Sequence, residues 1–149
     1  MKAPCEFKVL RVRECVAPGD LLDTPERAFQ YWQTNIPQAD WYDPAKESFV
    51  VLVLNTRRRI IGHALVAVGT LDSVNVHARE VFRPVIVAAG SALILAHNHP
   101  SLDPTPSEAD IRVTRELVRA GQLLKIEILD HLIVGSTFTS LRTLGYFAM

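Results

Sequence analysis

His97 and His99 stand two apart, directly after the apolar run Ala92-Leu93-Ile94-Leu95-Ala96, and Asp110 follows eleven residues after His99. An apolar run of that length ending in polar residues reads as a buried strand. Side chains at i and i+2 of a strand share a face, so two imidazoles leave one strand end side by side. Two imidazoles and a carboxylate make a three-ligand set of the kind catalytic zinc uses, with a fourth position left for water. The expectation is one zinc per chain, held by His97, His99 and Asp110. Bound zinc lowers the pKa of its water to about 7, which gives hydroxide at neutral pH. Asn98, between the histidines, faces the other way and takes no metal role.

The same stretch has a second reading. Ser107-Glu108-Ala109-Asp110 matches a helix capping box, with Ser107 as N-cap and Asp110 at N3. A carboxylate at N3 can cap and still turn toward the histidines, so capping and ligation are compatible for Asp110.

These residues need elements to position them. Thr24 as N-cap and Pro25 at the first helical position open a helix, whose apolar face carries Phe29, Trp32 and Ile36 and which Pro37 ends. Residues 37–46 form a loop. Strands over 48–54 and 60–68 flank Asn55-Thr56-Arg57-Arg58-Arg59 as a hairpin, the arginines lying in a solvated turn. A helix over about Val81 to Ala89 ends at Gly90, with Pro84 kinking it or delaying its start. Strand 92–97 follows, then the proline loop, then a helix from Glu108 to Ala120 with Gly121 at its end. On that helix Glu108 and Glu116 are spaced to pair with Arg112, Arg115 and Arg119. Leu124, Ile126 and Ile128 alternate as a half-exposed strand, and Leu132 to Val134 form another. Residues 5–14 alternate enough for a weak strand. This order predicts an α/β fold, a mixed sheet with helices on its faces.

His97-Asn98-His99-Pro100, then Ser107 and Asp110, has the form H-x-H-P…S-x-x-D. It resembles the JAMM motif of the JAB/MPN metalloproteases, in the version carried by the bacterial RadC family. Gly69-Thr70-Leu71, Val76-His77, Arg79-Glu80-Val81-Phe82, Asp130-His131 and Ile133-Val134-Gly135 resemble RadC blocks in the same order, so the likeness runs from about Glu47 to Gly145. It implies a deaminase-like three-layer fold and a zinc metallopeptidase or isopeptidase that uses a metal-bound water. It implies that Glu47, opening the strand before Phe49, is the carboxylate that takes the water's proton and passes it to the leaving amine. Glu80 competes for that role, but its place inside an amphipathic helix favours an exposed or salt-bridged side chain. The resemblance also implies that Ser107 donates to the oxyanion of the tetrahedral intermediate, a role in competition with capping for one hydroxyl. His131 is expected to pack or hydrogen-bond near the site, and His63 and His77 to be structural or exposed. The chain departs from the family pattern at Leu102, where Gly is usual and which would stiffen the loop, and at Ala78, where Pro is usual. Full-length members carry a helical N-terminal extension, and at this length the chain resembles the short stand-alone form.

The 149 residues are expected to form one domain, and with 48% apolar residues and a mean hydropathy of +0.14 the chain reads as folded rather than disordered. Sixteen basic and sixteen acidic side chains cancel. That balance gives no electrostatic case for DNA or a membrane, and weakly favours a peptide or protein substrate over DNA. A role on or with DNA, and a non-catalytic MPN scaffold, stand as the alternatives. The letters His97-Asn98-His99 are not an HNH nuclease, which spreads those residues over a ββα unit. A zinc deaminase needs His-x-Glu and Cys-x-x-Cys, and neither occurs. Cys5 and Cys15 read as ordinary thiols. The apolar stretch Val85–Ala96 is too short to span a membrane, and the protein reads as soluble and cytoplasmic, with no signal for oligomeric state.

Overall fold

A computed structural model describes residues 2–6, 8, 15, 20–69 and 76–148. The weak strand expected over 5–14 falls mostly outside them. Among the described residues five strands form one sheet: β1 (Glu47–Leu54), β2 (Ile60–Gly69), β3 (Ala92–Asn98), β4 (Glu127–Val134) and β5 (Phe138–Ser140), in the order β2-β1-β3-β4-β5. β3 and β4 pair parallel and every other neighbour pairs antiparallel, so the sheet is mixed. The parallel pair requires a crossover, which α3 (Glu108–Leu124) supplies.

β1 and β3 are central, and both are buried almost end to end. Buried strands of this kind are apolar on both faces, which is why the run before His97 does not alternate. One face carries Val50, Leu52, Leu54, Ile94, Ala96 and Leu132 against Ala28, Tyr31, Trp32 and Ile36, most of these from α1 (Pro25–Asn35). The other carries Phe49, Val51, Val53, Leu93 and Leu95 against Val81, Phe82 and Val85 of α2 (Ala78–Val87) and Leu117 of α3. The molecule is therefore a helix layer, a sheet and a second helix layer, the α/β arrangement expected for a JAB/MPN fold.

Several boundaries differ from expectation. α2 starts at Ala78 and runs through Pro84. It is Ala89, with φ 56°, that takes the left-handed position after it, while Gly90 makes room for Val53, whose Cγ1 would lie 2.4 Å from a Cβ there. α3 does not stop at Gly121. It continues to Leu124, and Lys125 is the left-handed cap with φ 56°. Gly121 is needed for packing, because a Cβ there would meet the Ile126 carbonyl oxygen at 2.6 Å. The two short strands expected over 124–128 and 132–134 are one strand, β4. The polar pair Asp130-His131 that divides the apolar pattern is buried within it and satisfied by hydrogen bonds. β5 was not expected.

Candidate metal centre

β3 delivers His97 fully buried, and His99 lies one residue past the strand's end, half-buried. The first turn of α3 delivers Asp110, 2% exposed. Strand alternation brings both imidazoles to one face, and their Nε2 atoms lie 3.2 Å apart. His97 Nε2 is 3.2 Å from Asp110 Oδ1, and His99 Nε2 is 3.3 Å from Asp110 Oδ2. A tetrahedral ion with bonds of about 2.0–2.1 Å sets its ligand atoms about 3.3 Å apart. The three side chains could hold a metal ion, with one ligand atom from each lying within 4.8 Å of the others, although the two short carboxylate distances run to different oxygens of Asp110.

The electrostatics suit the same purpose. Burial alone would raise the Asp110 carboxyl, but the hydrogen bond and charge of His97 and the backbone N–H of Ser107 hold it well below the usual carboxylate range. It is an ionised acceptor at neutral pH, placed at the positive end of a helix. The capping box is present: Asp110 N–H donates to Ser107 Oγ at 3.1 Å, and Ser107 N–H donates to Asp110 Oδ2 at 2.9 Å. Ligation geometry and capping thus coexist at Asp110.

His99 Nδ1 lies 2.8 Å from the carbonyl oxygen of Asp103. A carbonyl only accepts, so Nδ1 carries the hydrogen, and a neutral His99 turns a lone pair from Nε2 into the cluster. The proline loop is shaped for this contact. Asp103 Oδ1 accepts from Thr105 N and Oγ1 at 3.0 and 2.7 Å, and the Leu102 carbonyl accepts from Ser136 N at 2.8 Å. Gly135 permits that last approach, since a Cβ on it would meet Leu102 O at 2.3 Å.

Leu102 itself has φ 69° and an exposed side chain. The left-handed conformation costs an L-residue roughly 1–2 kcal/mol, against roughly 0.5–1 kcal/mol for the extra backbone entropy of glycine. Leu102→Gly is therefore expected to raise stability by roughly 0.5–1 kcal/mol, read as a higher midpoint in urea unfolding. A lower midpoint would show that the loop depends on the leucine side chain.

Behind His97 lies a group expected only to pack or hydrogen-bond near the site. His131, on β4, is fully buried, and its Nε2 is 2.8 Å from His97 Nδ1. Its Nδ1 is 2.5 Å from Thr114 Oγ1, which is also 2.6 Å from the Asp110 carbonyl oxygen. Burial, and then the neighbouring charge of His97, push the His131 pKa well below the usual histidine value. Phe49 lies flat against His97, with ring centroids 5.8 Å apart, and edge-on to His131. Thr114 was not singled out from sequence, although a residue four after Asp110 on a helix shares its face.

Glu47 is the first residue of β1 and is half-buried. It is not one of the three converging groups, and it sits two residues before Phe49, on the same face of the strand. Asn98 faces away from the histidines and brackets Glu47: its Oδ1 accepts from Ser48 N, and its Nδ2 donates to the Lys46 carbonyl, each at 2.8 Å. Glu80 pairs with Arg83 on α2 at 2.9 Å. The His63 ring nitrogen Nδ1 and Tyr31 Oη are hydrogen-bonded at 2.8 Å, and His77 is the exposed N-cap residue of α2, its side chain making no capping hydrogen bond. Arg58, in the solvated hairpin turn, reaches Glu127 at 3.2 Å. The expected pairing of Glu108 and Glu116 with the α3 arginines is absent among the described residues, and Arg115 instead lies over the Tyr146 ring. No helix among the described residues is long and apolar enough to cross a membrane.

The family model described as "RadC-like JAB domain" matches residues 22–146. The chain is 54% identical over 98 residues to a UPF0758 protein of Moorella thermoacetica, a match covering 65% of this chain and 43% of that one. It is 45% identical over 113 residues to the UPF0758 protein YsxA of Bacillus subtilis, covering 75% and 49%. A UPF0758 protein of Chlorobium chlorochromatii is 39% identical over 127 residues, covering 85% and 52%. The chain spans about half the length of these curated relatives.

Proposed function

This chain belongs to the RadC-like JAB domain family, and from that premise we propose that it is a zinc-dependent hydrolase of peptide or isopeptide bonds. The observation that carries the proposal is the convergence of His97 Nε2, His99 Nε2 and one carboxylate of Asp110 at 3.2–3.3 Å. Two nitrogens and one oxygen form the donor set of catalytic zinc, which keeps an open position. When bound, zinc supplies a water ionised near neutral pH and a Lewis acid for a carbonyl.

The remaining chemistry falls to this chain's own side chains. Glu47 takes a proton at its carboxylate from the attacking water and returns it to the leaving amine. Ser107 Oγ–H donates to the oxygen that becomes negative as the carbonyl is attacked. Phe49 and the buried His131 shield one side of the site from water. The balance of sixteen basic and sixteen acidic side chains supplies no net attraction to phosphates, which weakly favours a peptide or protein substrate over DNA. The free thiols Cys5 and Cys15 fit a reducing, cytoplasmic setting.

The test is metal analysis of the purified chain beside a substrate screen. One zinc per chain is expected, and the His97→Ala/His99→Ala double variant should lose it. Stoichiometric zinc retained in the double variant would remove the assignment. Zinc-dependent nicking of DNA that disappears in His97→Ala, without peptide turnover, would place the reaction on phosphodiesters instead.

A further inference from the structure

We propose that Thr114 and His131 are positioning residues that set the tautomer of His97, so that its Nε2 presents a lone pair to the metal. The inference rests on reading the cluster as a metal site. It explains a feature that reading leaves unused: a buried chain from His97 through His131 and Thr114 back to the backbone of Asp110.

His99 is oriented by a carbonyl, which can only accept. His97 has no such partner. Its Nδ1 faces His131 Nε2 at 2.8 Å, and either nitrogen can be the donor. The ambiguity passes along the chain to Thr114, whose single hydroxyl hydrogen has two candidate acceptors, His131 Nδ1 at 2.5 Å and the Asp110 carbonyl oxygen at 2.6 Å. A threonine inside a helix commonly donates to the carbonyl four residues earlier. With that donation made, Thr114 Oγ1 can only accept from His131, so His131 Nδ1 carries the hydrogen. A neutral His131 then accepts at Nε2 and His97 Nδ1 must donate, so His97 Nε2, 3.2 Å from Asp110 Oδ1, is the nitrogen that gives up its hydrogen to take a metal with its lone pair. Reversing the chain puts the hydrogen of a neutral His97 on Nε2, where it blocks ligation.

The arrangement ties both protein layers around the site together. Asp110 and Thr114 lie one turn apart on α3, His131 is on β4 and His97 on β3. The helix that supplies the carboxylate ligand therefore also fixes the hydrogen on an imidazole ligand that it does not carry. Groups that orient a metal-binding histidine in this way are worth about 10–100-fold in metal affinity.

The experiment compares wild type, Thr114→Val and Thr114→Ser in zinc affinity, measured by competition with a chromophoric chelator, and in melting temperature under excess chelator. Valine keeps the shape and removes the oxygen. Serine keeps the oxygen and removes a buried methyl. Zinc affinity is expected to fall about 10–100-fold in Thr114→Val and to be largely restored in Thr114→Ser, even where serine melts lower. A purely structural Thr114 gives the opposite order, with valine at least as tight as serine, and that order would overturn the inference. Nitrogen-15 imidazole spectra of the wild-type chain supply a readout independent of any variant. His131 should carry its hydrogen on Nδ1, with or without zinc. A His131 protonated at Nε2 in the zinc-loaded chain would also overturn the inference. A wild-type chain that binds no zinc removes the metal site itself, whereas tight zinc binding left unchanged by Thr114→Val removes only the relay.

Discussion

Glu47→Gln is expected to lower turnover by about 10²–10⁴-fold while the chain still binds one zinc. Glutamine matches glutamate in size but is neither a base nor an acid at neutral pH. Zinc should stay because Glu47 is outside the group of converging ligand atoms. The backbone should also stay in place, because Asn98 grips it on both sides of Glu47, at Lys46 and Ser48. Glu47 shares a strand face with Phe49, whose ring stacks on His97, so it stands on the side of the sheet that carries the candidate metal site. Glu80→Gln is the control. Glu80 is on α2 and engaged with Arg83, so the variant should retain full turnover. An inactive Glu80→Gln beside a fully active Glu47→Gln would transfer the role and remove Glu47 from the mechanism. Loss of zinc in Glu47→Gln would instead make Glu47 part of the metal site.

The contrast between these two glutamates shows what the sequence alone could resolve. Local periodicity was enough for the convergence of His97 and His99, since alternation continues one residue past the end of β3 and keeps positions i and i+2 on one face. The capping box was enough to put Asp110 in the first turn of α3. That this turn faces the end of β3 rests on the three-ligand pattern and the family resemblance, since a cap fixes a residue's place in its helix and not the helix's place in the fold. What stayed hidden were groups whose polarity is answered by distant residues. Asp130 and His131 interrupt an apolar pattern and suggest a break, yet β4 runs through them, because Ser140, the backbone of Arg142 and Thr114 satisfy them. The glycines misled for a related reason. Gly90 and Gly121 look like helix ends, but they are required by close approach of Val53 and of the Ile126 carbonyl. The left-handed positions fall instead to Ala89 and Lys125. Local turn chemistry and tertiary packing both select glycine, and a sequence does not say which one acted. The three-residue β5 is too short for periodicity and exists only as a partner of β4.

Ser107 presents the same question as a measurable choice between cap and oxyanion donor. From sequence the two roles compete for one hydroxyl. In the structure they use different parts of it: Ser107 Oγ accepts the Asp110 N–H through a lone pair, and its O–H hydrogen remains free to donate. The other half of the capping box runs from the Ser107 backbone N–H to Asp110 Oδ2 and survives any side-chain change. Asp110 should therefore stay tethered, and zinc bound, in both Ser107→Ala and Ser107→Gly. Ser107→Ala is expected to lose about 1 kcal/mol of stability from the cap. Ser107→Gly should lose only a few tenths of that unit, roughly, since glycine is tolerated at this position. Stability and turnover thus separate in the glycine variant. If the hydroxyl stabilises the developing oxyanion, both variants lose about 10²–10³ in kcat, and the glycine variant does so at nearly wild-type melting temperature with full zinc content. Near-normal kcat in Ser107→Gly would assign the serine to capping alone. The oxyanion would then fall to the metal, and the site would need no side-chain donor beyond its three ligands and Glu47.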